Sequence, residues 1–191
     1  MDTFVDSSWY FLRYGDPLND KKPFDPKKVS QWLPVDQYIG GAEHAVMHLL
    51  YARFFTKVLK ELGLISFDEP FIKLFNQGML HKEGFVMSKS RGNVVTQEDM
   101  ASKYGIDTAR VCLMSMASPD KDTEWDDKDV EGSYRFLQKV MYIMTEKKEG
   151  KQTARTDHKQ HTTIKEVTTA LEELRHHDAL RSLMRYANTL A

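Results

Sequence analysis

Cysteine is almost missing from this sequence. Cys112 is the single example, so neither a disulfide framework nor a cysteine-based zinc site can be assembled. That thiol lies in the apolar run Arg110-Val111-Cys112-Leu113-Met114 and reads as a small buried hydrophobe. Long apolar runs are missing as well: none approaches the roughly 18 residues needed to span a bilayer. The first residues carry Asp2 and Asp6 where a secretory leader has a basic segment. A reducing, cytoplasmic compartment is therefore the expectation. An excess of one charge is absent too. With 27 basic against 28 acidic residues, the balance argues against wholesale electrostatic capture of nucleic acid, leaves room for local basic patches, and does not decide the partner.

What is present suffices for a folded body. A chain of 191 residues, 41% hydrophobic and 29% charged, can bury one good core and carry an appended element. Within it, the stretch Phe85-Val86-Met87-Ser88-Lys89-Ser90-Arg91-Gly92-Asn93 places two serine hydroxyls, an ammonium, a guanidinium and a glycine within five residues. None of these serves a core, and together they suit a polyphosphate. A solvated surface loop is the competing reading.

A second chemical cluster lies upstream. Val35-Asp36-Gln37-Tyr38-Ile39 predicts a strand ending at Gly40-Gly41, followed by a helix from Ala42 to Leu62 with Val46, Leu49, Leu50, Phe54, Val58 and Leu62 on its apolar face and Gly63 as its stop. Strand, glycine pair and helix form the geometry of nucleotide-binding α/β folds, where backbone approaches phosphate or ribose. Glu43 suits the helix dipole, and beside a glycine pair it also suits two ribose hydroxyls. His44 and His48, four apart, share a helical face. They read as neutral imidazoles lining a small-ligand pocket or as core histidines; without a cysteine or a HExxH arrangement, no metal site is assigned. Near the start, Phe4, Ser7 and Tyr10 are spaced three apart, so one helical turn would present them together with a hydroxyl at the pocket edge.

The rest is organisation. Pro17, Pro23, Pro26 and Pro34 make Gly15 to Pro34 a surface loop. Residues 71–80 and 85–87 read as strands around a turn at His81-Lys82-Glu83-Gly84. Thr96 caps a helix over Gln97 to Lys103, Asp107 caps the next, and Pro119 stops it. A charged loop around Trp125 leads to a long amphipathic helix carrying Val130, Tyr134, Leu137, Met141 and Met144. Lys147 to His161 is a polar, mobile link. Two further helices, marked by Ile164, Val167, Leu171 and Leu174 and then by Leu180, Leu183, Met184 and Ala187, need neighbours that the sequence does not supply.

In combination these segments point to one family. Met87-Ser88-Lys89-Ser90 matches four positions of the KMSKS signature of the class I aminoacyl-tRNA synthetases, following a strand pair as that family requires. Tyr38-Ile39-Gly40-Gly41-Ala42-Glu43-His44 with His48 resembles the ribose-binding strand and helix of the leucyl branch. Asp2 through Tyr10 is similar to its leucine-pocket segment, and Lys103 through Arg110 and Glu124 through Leu137 to its stem-contact region and helical bundle. The resemblance implies an α/β fold, the C-terminal half of a Rossmann-type catalytic domain followed by an α-helical region. Its expected boundaries are 1–95 for the catalytic half, 96–128 for the stem contact and 129–191 for an incomplete anticodon-side bundle.

The resemblance also implies a reaction, the joining of leucine to ATP, with accompanying Mg2+, as leucyl-adenylate, and transfer of the leucyl group to tRNA(Leu). Lys89, flanked by Ser88 and Ser90, would stabilise the departing pyrophosphate. Gly40, Gly41 and Glu43 would hold the ribose, with Met79, Leu80 and Met87 at the nucleotide. Phe4, Ser7, Tyr10, His44 and His48 would surround the leucine side chain. Val86 stands in place of the signature's first lysine, so the loop relies on Lys89, assisted by Arg91. No HIGH-like signature occurs, and His44-Ala45-Val46-Met47-His48 lacks its Ile-Gly core. The chain alone is therefore expected to be inactive, with the other half of the enzyme as its partner. A tRNA-binding module without catalysis, a sibling specificity (isoleucine, valine or methionine) and a non-functional truncation remain as alternatives.

Overall fold

A computed structural model describes residues 4–146 and 150–190. The chain divides into two compact units, Met1–Gln77 and Gly78–Ala191.

The first unit is built on a strand–helix–strand crossover. β1 (Val35–Gly41) and β2 (Phe71–Gln77) run parallel with Val35 opposite Phe71 and Gly41 opposite Gln77. Parallel neighbours need a long connection, supplied here by α3 (His48–Glu61). The expected helix from Ala42 is corrected: Ala42–Ala45 is a 3₁₀ turn, and Met47 takes a non-helical backbone that interrupts the bond ladder before α3 begins. Its far end follows expectation. Gly63 at φ +70° lets its own N–H reach the Lys60 carbonyl at 2.9 Å and the Leu64 N–H reach Leu59 at 3.0 Å, the paired bonds of a Schellman stop.

The core of this unit gathers Phe11, Leu12, Phe24, Val29, Ala52 and Leu59. It draws on α1 (Tyr10–Tyr14) and on α2 (Pro26–Val29), a helix inside the segment expected to be a surface loop. Asp25 caps α2 through the Lys27 N–H at 2.8 Å, with Pro26 in the first helical position where its missing N–H costs nothing. Asp16 is buried and accepts from Lys28, Asn19 and the Asp25 N–H at 2.7, 2.7 and 2.9 Å. The Lys28 bond is the main reason its carboxyl is held below the usual range. The buried face of α3 also departs from expectation. It is His48, Leu49, Ala52, Thr56 and Leu59, whereas Val46, Leu50, Phe54 and Leu62 are exposed.

The second unit opens on a hairpin. β3 (Leu80–Lys82) and β4 (Phe85–Val86) pair antiparallel around Glu83 and Gly84, both at positive φ as a two-residue primed turn demands. β5 (Thr123–Glu124) lies parallel to β3 on its other side. Thr96 caps α4 (Gln97–Tyr104) as expected. α5 (Ile106–Ser115) starts from Gly105, with Asp107 inside its first turn rather than at the cap, and ends before Pro119. Asp126 caps α6 (Asp127–Thr145). Met100, Ala109, Cys112, Trp125 and Val130 form the core. Cys112 is fully buried, and burial pushes its thiol up to about 11.

The last helices are α7 (Ala154–Glu172) and α8 (His176–Leu190). The link expected up to His161 is corrected from Ala154 onward, where a capping box between Thr153 and Thr156 starts α7; its Lys147 to Glu149 portion lies outside the described residues. Small side chains are buried on both helices, Thr163 and Ala170 on α7 and Ala179, Ser182 and Ala187 on α8. Ile164, Leu171 and Leu183 stay partly exposed, as do Met141 and Met144 on α6. Among the described residues, no helix is long and apolar enough to cross a membrane.

Candidate active site

In the first unit the site forms at the carboxyl end of the parallel pair, where open α/β sheets bind ligands. Gly40 and Gly41 close β1 opposite Asn76 and Gln77. Both positions are short of space. A Cβ on Gly40 would lie 2.8 Å from the Tyr38 ring, and one on Gly41 would lie 2.3 Å from Glu43 Oε1. The glycine pair thus admits the Tyr38 ring on one side and the Glu43 carboxylate on the other. Burial, with Glu43 second, raises the Tyr38 phenol above its ordinary value.

Beside it sits an aromatic cluster centred on His48. Its ring centroid lies 5.7 Å from Tyr38, 6.0 Å from Tyr10, 6.2 Å from His44 and 6.5 Å from Phe71. Phe4 meets His44 edge-on at 6.4 Å. The structure therefore brings four of the five expected pocket residues together, although Phe4, Ser7 and Tyr10 do not share one helical turn: a 3₁₀ turn over Asp6–Ser8 breaks at Trp9 before α1. The Ser7 hydroxyl donates to the Phe4 carbonyl at 3.2 Å, so its proton is spent locally. Nδ1 of both histidines is buried without a hydrogen-bond partner. Desolvation, followed by the proximity of His44, lowers the His48 pKa and so favours its neutral form. Asn76, which sequence reasoning passed over, likewise buries an unpartnered Oδ1 next to Gly40 in register. Its signal was a polar residue ending an apolar strand.

In the second unit the serine–lysine loop is a closed structure. Lys89–Arg91 form one 3₁₀ turn entered from extended Ser88 and left through Gly92 at φ +70°, a conformation that favours glycine. Asn93 ties the base: its Oδ1 accepts from the Ser88 N–H at 2.9 Å, and its Nδ2 faces the carbonyls of Lys82, Phe85 and Val86 at 3.3–3.4 Å. The Ser88 and Ser90 hydroxyls lie 3.2 Å apart, and Arg91 stacks its guanidinium 4.6 Å over the Phe85 ring. Lys89 is exposed and pairs with no carboxylate among the described residues. Met87 packs toward the core. The Met79 N–H and carbonyl and the Leu80 carbonyl are already bonded, to Asp122, Thr123 and Met87, so only the carbonyls' second lone pairs remain for a ligand. No group of three or more His, Cys, Asp or Glu side chains that would hold a metal occurs among the described residues.

A family model described as tRNA synthetases class I (I, L, M and V) matches residues 1–126. The chain belongs to the class I tRNA synthetases. The leucine–tRNA ligase of Petrotoga mobilis is 49% identical over the whole chain, which spans 25% of that protein, and the ligase of Thermotoga maritima is 61% identical over 73% of the chain. The chain thus spans about a quarter of the length of such curated relatives. Among solved structures, the LeuRS–tRNA–LeuAMS ternary complex of Agrobacterium radiobacter K84 matches the whole chain at a TM-score of 0.88 and 35% identity, with 27% of that chain covered. Mycobacterium tuberculosis methionyl-tRNA synthetase bound by methionyl-adenylate matches 97% of the chain and 38% of its own at 0.69 and 18% identity, a likeness of fold. The α/β class expected from the sequence is that of these class I tRNA synthetases.

Proposed function

We propose that this chain supplies the KMSKS-bearing part of a leucine–tRNA ligase, which activates leucine with MgATP and passes it to tRNA(Leu). The observation that carries the proposal is the 49% identity, over the entire chain, to a curated leucine–tRNA ligase. In the first step the leucine carboxylate attacks the α-phosphorus of ATP, leucyl-adenylate forms, and pyrophosphate departs with its growing charge. Lys89 presents an unpaired ammonium from a loop whose base is already tied, so little reorganisation is needed to meet that charge. Ser88 and Ser90 hold the turn. Gly40, Gly41 and Glu43 receive the ribose hydroxyls, Met79 and Leu80 offer carbonyls and the exposed Met79 side chain to the adenine, and Met87 anchors the strand beneath. Phe4, Tyr10, His44 and His48 form the wall for the leucine side chain, with Ser7 at its rim. The lowered His48 pKa favours its neutral form, which suits an aliphatic side chain against that wall. In the second step the leucyl group moves to the terminal adenosine of the tRNA, with residues 96–128 as the stem contact and 129–191 on the anticodon side.

Such a pocket separates leucine from a one-methylene analogue by only ~1–3 kcal/mol. The test is calorimetric titration of the chain with non-hydrolysable leucyl-, isoleucyl-, valyl- and methionyl-adenylate analogues. The leucyl analogue is expected to bind most tightly, and Lys89→Ala to weaken MgATP and pyrophosphate while sparing the leucyl preference. Preference for another aminoacyl analogue would sink the leucine assignment. Because no HIGH-like signature occurs in these 191 residues, no leucine-dependent ATP–pyrophosphate exchange is expected from the chain alone, and exchange abolished by Lys89→Ala would overturn that point.

A further inference from the structure

The β3–β4 hairpin that carries the serine–lysine loop is held along one edge by residues 119–125. The Gly78 N–H donates to the Pro119 carbonyl at 2.8 Å, the Thr123 N–H to Met79 at 3.0 Å and the Trp125 N–H to His81 at 2.8 Å. Two more bonds come from side chains. The Met79 N–H donates to Asp122 Oδ1 at 2.8 Å, and the Gly84 N–H in the hairpin turn donates to Glu124 Oε1 at 3.1 Å. These carboxylates therefore hold opposite ends of the hairpin. The approach is close enough to exclude a side chain: a Cβ on Gly78 would lie 2.2 Å from the Lys121 carbonyl carbon and oxygen. Trp125, next along the segment, is buried in the unit's core, which makes the edge a fixed one.

The loop and the hairpin are bonded into one body. Met87 N–H bonds to Leu80 at 2.9 Å, and Asn93 closes Ser88 onto the carbonyls of Lys82, Phe85 and Val86. A hairpin with strands of three and two residues has little stability of its own. Among the described residues, its attachments to the unit include the packing of Met87 and Val95 on the core, the bonds to residues 119–125 and the approach of His81 Nε2 to Asp122 Oδ2 at 3.9 Å. Whatever sets the hairpin's height and tilt thereby sets where the Lys89 ammonium can reach. We propose that Asp122 and Glu124 are positioning residues of the serine–lysine loop, holding Lys89 in place through the backbone amides of Met79 and Gly84; its meaning for catalysis rests on the adenylate-forming role proposed above.

The test is residue-resolved amide hydrogen exchange on the full chain, comparing the parent with Asp122→Ala/Glu124→Ala and with Asp122→Asn/Glu124→Gln, whose amide oxygens can still accept. The alanine pair is expected to speed exchange at Met79 and Gly84, and by about tenfold at Ser88, whose partner Asn93 is untouched, while Cys112 and Leu113 in α5 keep parent rates. The conservative pair is expected to stay within about twofold of the parent. A MgATP titration accompanies it, with the alanine pair expected to bind at least about fivefold more weakly. Unchanged exchange at Ser88, or equal acceleration in α5, overturns the positioning role. Failure of the parent to bind MgATP counts against the adenylate-forming role instead, and the exchange rates still judge the positioning.

Discussion

His48 is 7% exposed, surrounded by rings, and its folded pKa lies below the ordinary value through burial first and His44 second. The unfolded chain therefore binds a proton near pH 6.5 that the folded chain refuses. Stability is complete above that pH, falls as pH drops through it toward the folded pKa, and levels off below. Urea titrations of the parent at pH 7.5 and pH 5.5 are expected to show this acid-side loss, and His48→Gln to flatten it; equal slopes for the two proteins would refute the assignment. From its spacing His48 reads as a pocket imidazole or a core histidine, and its burial among Tyr10, Tyr38, His44 and Phe71 is what both readings require. Lys89 stands out in the sequence because chemistry-bearing side chains crowd around it, and the structure leaves it exposed. Asn93 does not stand out, since its work is done on backbone groups of residues 82, 85, 86 and 88, and a pairing of side chain with distant backbone leaves no periodicity to read. Asp122 was hidden for the same reason, 43 residues along the chain from the amide that it holds.

At the scale of elements, termini were easier to foresee than faces. Gly63 and Thr96 act through short-range backbone geometry and stand where the residue types demanded, whereas the turn expected over His81-Lys82-Glu83-Gly84 narrows to Glu83-Gly84: His81 and Lys82 belong to β3, and the strand expected over 71–80 ends at Gln77. α3 shows the opposite case. Two stripes compete on it, and the larger, more apolar one is exposed while Ala52 and Thr56 face inward. Small residues let the helix sit close to the core, and Thr56 hides its hydroxyl by donating to the Ala52 carbonyl at 2.8 Å. Hydrophobicity alone does not tell which stripe finds a neighbour. α7 began ten residues before its expected apolar pattern because its start is set by a cap: Thr153 accepts from the Thr156 N–H at 3.2 Å, and the Thr156 hydroxyl accepts from the Thr153 N–H at 2.9 Å. Thr153→Ala is expected to cost about 0.5–2 kcal/mol of helix stability. Amide exchange over residues 154–158 is the sensitive readout, with α4 as the internal control; unaltered protection there would show that the cap contributes nothing.

For the whole molecule, the division at Gln77 and Gly78 separates two cores that were read from the sequence as one core with an appended element. Composition counts apolar residues without saying how many bodies they fill. The first core centres on Leu12 and Val29, the second on Cys112 and Val130, all but fully buried. Truncating a buried leucine to alanine costs about 2–5 kcal/mol through lost burial and the cavity left behind, and a buried valine somewhat less. If each core answers for its own unit, Leu12→Ala should speed exchange of the α3 amides and leave those of α5 near parent rates, while Val130→Ala should do the reverse. Acceleration of both sets by either substitution would mean one cooperative body instead.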